Sequence, residues 1–108
     1  MGNFGHTRER QVKKVLEAEG WLVVRAAGSL GTFDLVAMKD GYRPRLIEVK
    51  ATAAGPFAGF LPADRAEISE AARLAGADAE LAFWPKRGRL SWITEDMWPI
   101  PNQRSKSA

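Results

Sequence analysis

The chain reads as an α/β domain in which a mixed β-sheet is flanked by helices on one or both faces. Three observations predict this: an amphipathic helical stretch near the N-terminus, several short apolar runs of strand type separated by turn residues, and an alanine-rich helical stretch between two of those runs. With 108 residues and 45% hydrophobic content, there is material for one modest core. Residues 1–101 are expected to form a single domain, and residues 102–108 a frayed polar tail.

Residues 7–19 fit a helix with Thr7 as N-cap, since Val12, Val15, Leu16 and Glu19 fall at helical spacing and Gly20 can terminate it. Residues 21–26 are rich in strand formers, and the small-residue loop 27–32 leads to a second strand starting near Phe33. Lys39-Asp40-Gly41-Tyr42 supplies turn chemistry, and Pro44 limits where the returning strand can pair. Residues 51–61 lose periodicity among Gly55, Pro56 and Gly59, which predicts a mobile loop beside the site or a partner surface. Asp64 then opens a second helix over 64–75, built on Ala66, Ile68, Ala71, Ala72 and Ala75 and ended by Gly76. Residues 79–84 and 90–93 read as strands around the basic turn 85–88, and 95–100 as a closing turn or short helix.

Composition removes several classes of chemistry. There is no cysteine, which excludes disulfides and thiolate-bound metal, and the single His6 cannot build a multi-histidine centre. His6 reads as a surface residue. Any metal site must be oxygen-based, which favours Mg2+, with Mn2+ as a substitute. No apolar run approaches the roughly 20 residues of a membrane span, so the expected setting is cytoplasmic or otherwise intracellular. The net charge of +3 is a weak sign of a polyanionic partner. Its distribution says more: Arg8, Arg10, Lys13, Lys14 and Arg25 lie early, and Lys86, Arg87 and Arg89 cluster late. Ten of the sixteen basic residues are arginine, whose planar fork suits phosphate. Solvated surface charge is the plain alternative for either cluster.

The stretch from Asp34 to Lys50 carries the chemistry. Asp34 opens one strand, and Glu48 and Lys50 share one face of the next, with Ile47 and Val49 on the other. Hairpin pairing returns Glu48 beside Asp34. Two close carboxylates stay ionised most easily around a divalent cation, which polarises a phosphodiester oxygen and activates water. Lys50 would orient that water or offset charge in the transition state, and the residues alone do not choose. Glu9 lies on the apolar side of the first helix, three and seven residues before Val12 and Leu16, where a carboxylate needs a partner or a metal. Ser29, between Gly28 and Gly31, is placed to donate to phosphate. Each residue also has a bland reading: a turn aspartate, an edge-strand Glu/Lys alternation, a solvated helix glutamate, an ordinary loop serine.

The strings Arg8-Glu9-Arg10, Val24-Arg25-Ala26-Ala27-Gly28-Ser29, Asp34-Leu35-Val36-Ala37 and Ile47-Glu48-Val49-Lys50 together resemble the archaeal-type Holliday-junction resolvases, including phage-borne relatives, over about residues 5–93. These belong to the restriction-endonuclease-like PD-(D/E)xK superfamily. The resemblance implies that Glu9, Asp34 and Glu48 bind Mg2+ or Mn2+, that Lys50 assists hydrolysis and that Ser29 lies at the active site. It implies roles for Arg10 and Arg25 in junction binding or catalysis, and with them Arg8, Lys13 and Arg65 are the expected DNA contacts. It further implies a homodimer cutting paired strands of a four-way DNA junction. The chain departs from the pattern at Phe33, where proline is usual, at Arg65, where glutamine is frequent, and in a short loop between Ser29 and Asp34. The aromatics Phe57, Phe60, Phe83, Trp84, Trp92 and Trp98 are more than a small core easily hides, which gives some independent support for an interface, with core packing as the equal alternative. Rival readings are a related nuclease acting on nicked, flap or duplex DNA, a non-catalytic nucleic-acid-binding module, and a plain α/β interaction domain.

Overall fold

A computed structural model describes residues 4–26 and 33–99, with side chains from residue 7 onward. The elements are α1 (Phe4–Ala18), β1 (Leu22–Arg25), β2 (Leu35–Met38), β3 (Arg45–Ala51), α2 (Pro62–Ala75), β4 (Asp78–Trp84), β5 (Ser91–Thr94) and a 3-10 turn (Glu95–Met97). The strands form one mixed sheet in the order β1-β2-β3-β4-β5, in which only β3 and β4 run parallel. That parallel pair needs a crossover, and α2 provides it.

The helices sit on opposite faces because the strands alternate. Val12 and Leu16 of α1 pack on Val23, Leu35, Ala37, Ile47, Val49 and Ala82. Ile68 and Ala72 of α2 pack on Leu46, Ala79, Leu81 and Phe83, with Phe60 and Trp98 closing that side. Adjacent residues of β3 and β4 thus serve different cores, as a sheet covered on both faces requires.

Several boundaries differ from the sequence reading. α1 starts at Phe4, so Thr7 lies inside the helix and not at its N-cap, and Glu19 is exposed beyond its end. α2 starts at Pro62, where proline costs no hydrogen bond, and Asp64 sits one turn in. Its carboxylate accepts from the Leu61 amide at 3.0 Å. Gly76 ends α2 as expected, in the left-handed region at φ 66°, with its amide directed to the last carbonyls of the helix.

The aromatic surplus is largely consumed within the chain. Phe60, Phe83 and Trp98 are buried and Phe57, Trp84 and Trp92 half-buried, so the aromatic count gives no independent support for an interface. Phe60 and Trp98 meet edge to face at 4.9 Å.

At one end of the sheet, Arg45 forms a two-pronged ion pair with Glu80, both contacts at 2.7 Å. Its guanidinium lies over the rings of Trp21 and Trp92, 4.7 and 4.9 Å from their centroids. Glu80 is buried, so removing it strands a desolvated cation between two indoles. Glu80→Ala should destabilise the fold by about 3 kcal/mol in urea unfolding, whereas Arg73→Ala on the surface should cost less than about 0.5 kcal/mol.

Candidate active site

The opposite end of the sheet gathers the chemistry, and strand direction explains why. β3 and β4 finish there, β2 begins there and β1 ends there. This brings the C-terminal half of β3, the start of β2 at Asp34 and the end of β1 at Arg25 to one edge. The Ala26 amide donates to the Asp34 carbonyl and the Asp34 amide to the Ile47 carbonyl, both at 2.9 Å. Beyond the last β2–β3 pair, Leu35 with Ile47, the Val49 amide donates to Oδ2 of Asp34 at 2.8 Å. One carboxylate oxygen is therefore fixed by the backbone of the strand carrying Glu48 and Lys50.

Glu48 and Lys50 share a face of β3, as expected from alternation, while Ile47 and Val49 are buried on the other. Lys50 Nζ lies 3.2 Å from Glu48 Oε2. Glu48 also lies beside Asp34, and its carboxyl is pushed up to about 7. Burial is the main cause and the charge of Asp34 the next, with Lys50 opposing both. Asp34 and Glu48 thus converge beside an ammonium.

Glu9 departs from the expected arrangement. Among the described residues no group of three or more acidic or histidine side chains is gathered closely enough to hold a metal. Glu9 projects from α1, on the other face of the sheet from α2, and its Oε1 accepts from Arg25 at 3.2 and 3.3 Å. Its side chain is only 15% exposed, so it is turned inward as periodicity predicts, with an arginine for company. The three-carboxylate cluster expected from sequence is therefore a pair, with Glu9 held apart in an ion pair.

The basic residues divide by position. Arg8 lies over the ring of Trp84, Arg10 is exposed, and Lys13 is paired with Glu17 at 2.6 Å on α1. Arg65, expected at the DNA, is 7% exposed on the inner side of α2. Its Nη1 donates to the Phe60 carbonyl and its guanidinium lies 5.4 Å from the Phe57 ring centroid. The helical period that makes Ile68 and Ala72 core residues also turns Arg65 inward, three residues before Ile68. Phe33, in place of the usual proline, packs against the core on the α2 side. Ser29, with Gly28 and Gly31, lies outside the described residues, as does the side chain of His6.

The segment after β3 returns to the site. A side chain at Gly59 would begin 3.8 Å from Lys50 Nζ, so the loop backbone passes close to the amine. Phe60, next along, is completely buried and anchors it. Loss of periodicity marked this loop in the sequence, but no residue in it signalled the approach to Lys50.

The comparisons with known proteins agree with this geometry. Residues 1–97 match the family described as archaeal Holliday junction resolvase (Hjc). Among solved structures, that of Archaeoglobus fulgidus Hjc, a Holliday junction resolvase from an archaeal hyperthermophile, is similar with a TM-score of 0.74 and 26% sequence identity. The match covers 89% of this chain and 76% of that one. No curated protein matches. With a family match across nearly the whole chain and a carboxylate pair beside a lysine at the sheet's end, this chain belongs to the archaeal Holliday junction resolvase family of nucleases.

Proposed function

We propose that the chain is a structure-selective endodeoxyribonuclease that resolves four-way DNA junctions, working as a homodimer with Mg2+, for which Mn2+ can substitute. The observation carrying this is the convergence of Asp34 and Glu48 beside Lys50 in a chain of this family. The donor set fits a hard divalent cation, because two carboxylates share a half-buried space with a single ammonium, and burial together with the neighbouring Asp34 pushes Glu48 toward its neutral form. Asp34 and Glu48 would hold the ion, and Glu9, paired with Arg25, would act through that arginine rather than as a ligand. The ion, when bound, supplies Lewis-acid polarisation of the phosphodiester and a more acidic water.

The chain's own groups supply position and charge. The Val49 amide fixes one oxygen of the Asp34 carboxylate. Lys50, held against Glu48, places a cation where negative charge accumulates on phosphorus-bound oxygens. Hydrolysis adds water across one P–O bond. Arg10 and Arg25 at the same end of the molecule, with Lys13 further along α1, would position the phosphate backbone without reading sequence. A two-fold pair of such sites matches the need to cut two strands.

A labelled four-way junction should be nicked on paired strands in Mg2+ while a linear duplex of the same sequence is left largely whole; equal turnover of both would defeat the junction reading. Supporting groups around metal ligands are commonly worth about 10–100-fold, so Asp34→Asn, which removes a ligand, should reduce cutting by more than about 100-fold while sparing junction binding.

Glu48 gives a pH dependence with a definite sign. Its folded pKa, about 7, lies above the ordinary value of 4.5, so the metal-free native state retains a proton that the unfolded chain releases. Stability therefore falls as pH rises from about 4.5 to about 7 and stays reduced above that. Glu48→Gln should be more stable than the parent by about 1–2 kcal/mol at pH 8 without metal, after allowance for partial solvent screening, and little different at pH 4. Metal must displace the same proton, so Mg2+ affinity should drop toward tenfold per pH unit below about 7, which calorimetry at several pH values would measure.

A further inference from the structure

Arg65 carries a buried positive charge that the surrounding side chains do not neutralise. It is 7% exposed on the inner side of α2, and no carboxylate lies within ion-pair distance of it among the described residues. Its Nε–H is buried without an acceptor among those residues. A desolvated guanidinium with an idle donor is costly, and an apolar side chain of similar length would fill the same space without that cost. Packing alone therefore gives no reason for an arginine here.

What the guanidinium holds is the loop that returns to the active site. Its Nη1 donates to the Phe60 carbonyl and its plane faces the Phe57 ring, so it grips the loop at two points three residues apart. The loop is tied within itself as well: the Ala58 amide donates to the Gly55 carbonyl at 3.4 Å and the Phe60 amide to the Phe57 carbonyl at 3.3 Å. Gly59 lies between the two gripped residues. A Cβ there would sit 3.8 Å from Lys50 Nζ and 3.9 and 4.0 Å from its Cδ and Cε, so the loop runs along the lysine stem and not only past its tip. Phe83 stands opposite Lys50 in the parallel register and belongs to the core that α2 covers, which places Lys50, the loop and Arg65 on one face of the sheet. A lysine stem is flexible, and a wall along it decides where the amine rests. Here it rests 3.2 Å from Glu48 Oε2.

We propose that Arg65 is a positioning residue for Lys50: by holding the Phe60 carbonyl it seats Gly59 against the lysine stem and keeps the amine beside Glu48. This rests on the nuclease reading above and adds to it a residue that acts from the core, without touching DNA or metal. The link is short, because Gly59 and Phe60 are consecutive and their Cα atoms lie about 3.8 Å apart. A shift of the Phe60 carbonyl passes directly to the wall beside the amine.

The test combines amine labelling with cleavage. In the folded, metal-free protein, an acylating reagent read out by mass spectrometry should label Lys50 several-fold faster in Arg65→Met than in the parent, while the exposed Lys14 and Lys86 react as before. Misplacing a reacting group by about 1 Å costs up to about 100-fold, so cutting of a four-way junction in Mg2+ should slow by about tenfold. Junction affinity in Ca2+ should stay unchanged, because Arg65 is buried away from the DNA. Arg65→Lys keeps a donor for the Phe60 carbonyl and should fall between parent and Arg65→Met in both labelling and rate, which also serves if the apolar replacement does not fold. In a Lys50→Ala background, Arg65→Met should slow cutting no further. Unchanged Lys50 labelling in both Arg65 variants, or a loss of cutting that adds in full to that of Lys50→Ala, would overturn the assignment while the parent's junction cutting upheld the nuclease reading. A parent inert on the junction would overturn the nuclease reading and, with it, any role of Arg65 in cutting.

Discussion

Two carboxylates, Asp34 and Glu48, are forced together at a strand end. Asp34 is fixed by the Val49 amide, and the β2–β3 register carried one residue further sets Glu48 opposite it, so neither can withdraw without breaking the sheet's end. Burial and the neighbouring negative charge drive Glu48 toward its neutral form, and Lys50 recovers only part of that cost. The fold thus maintains an electrostatic deficit that a cation relieves.

The rest of the architecture serves that edge. A parallel β3–β4 pair places the C-terminal ends of two central strands side by side, and loops after such ends are where open α/β sheets hold ligands. The antiparallel hairpin supplies Asp34 from the opposite direction. α1 brings Arg8 and Glu9 from one face, and the loop before α2 brings Gly59 against Lys50 from the other. The site is consequently built from four segments distant in sequence, each positioned by a hydrophobic face rather than by a local motif.

Sequence periodicity carried much of this. The alternation that put Glu48 and Lys50 opposite Ile47 and Val49 was legible because burial on one face enforces it, and the hairpin interval brought Asp34 back to Glu48. Glu9 was legible in direction but not in company: its inward turn follows from the stripe of Val12 and Leu16, whereas its pairing with Arg25 depends on a strand sixteen residues away. Arg65 misled for an instructive reason. Charge suggested solvent or phosphate, yet its helical phase matches Ile68 and Ala72, and phase prevailed. The aromatic count misled similarly, since a sheet covered on both faces has two cores to fill. The hold of Arg65 on the Phe60 carbonyl could not be read at all, since it depends on how an aperiodic loop folds back over α2.

The sandwich of Arg45 between Trp21 and Trp92 has a bearing on how the sheet opens. Trp21 leads into β1 and Trp92 lies in β5, so a single cation on the central strand touches both edges of the sheet. Fraying at either edge bares the same desolvated guanidinium and its Glu80 partner. The two margins are therefore linked through the middle, and loosening either one exposes the same ion pair.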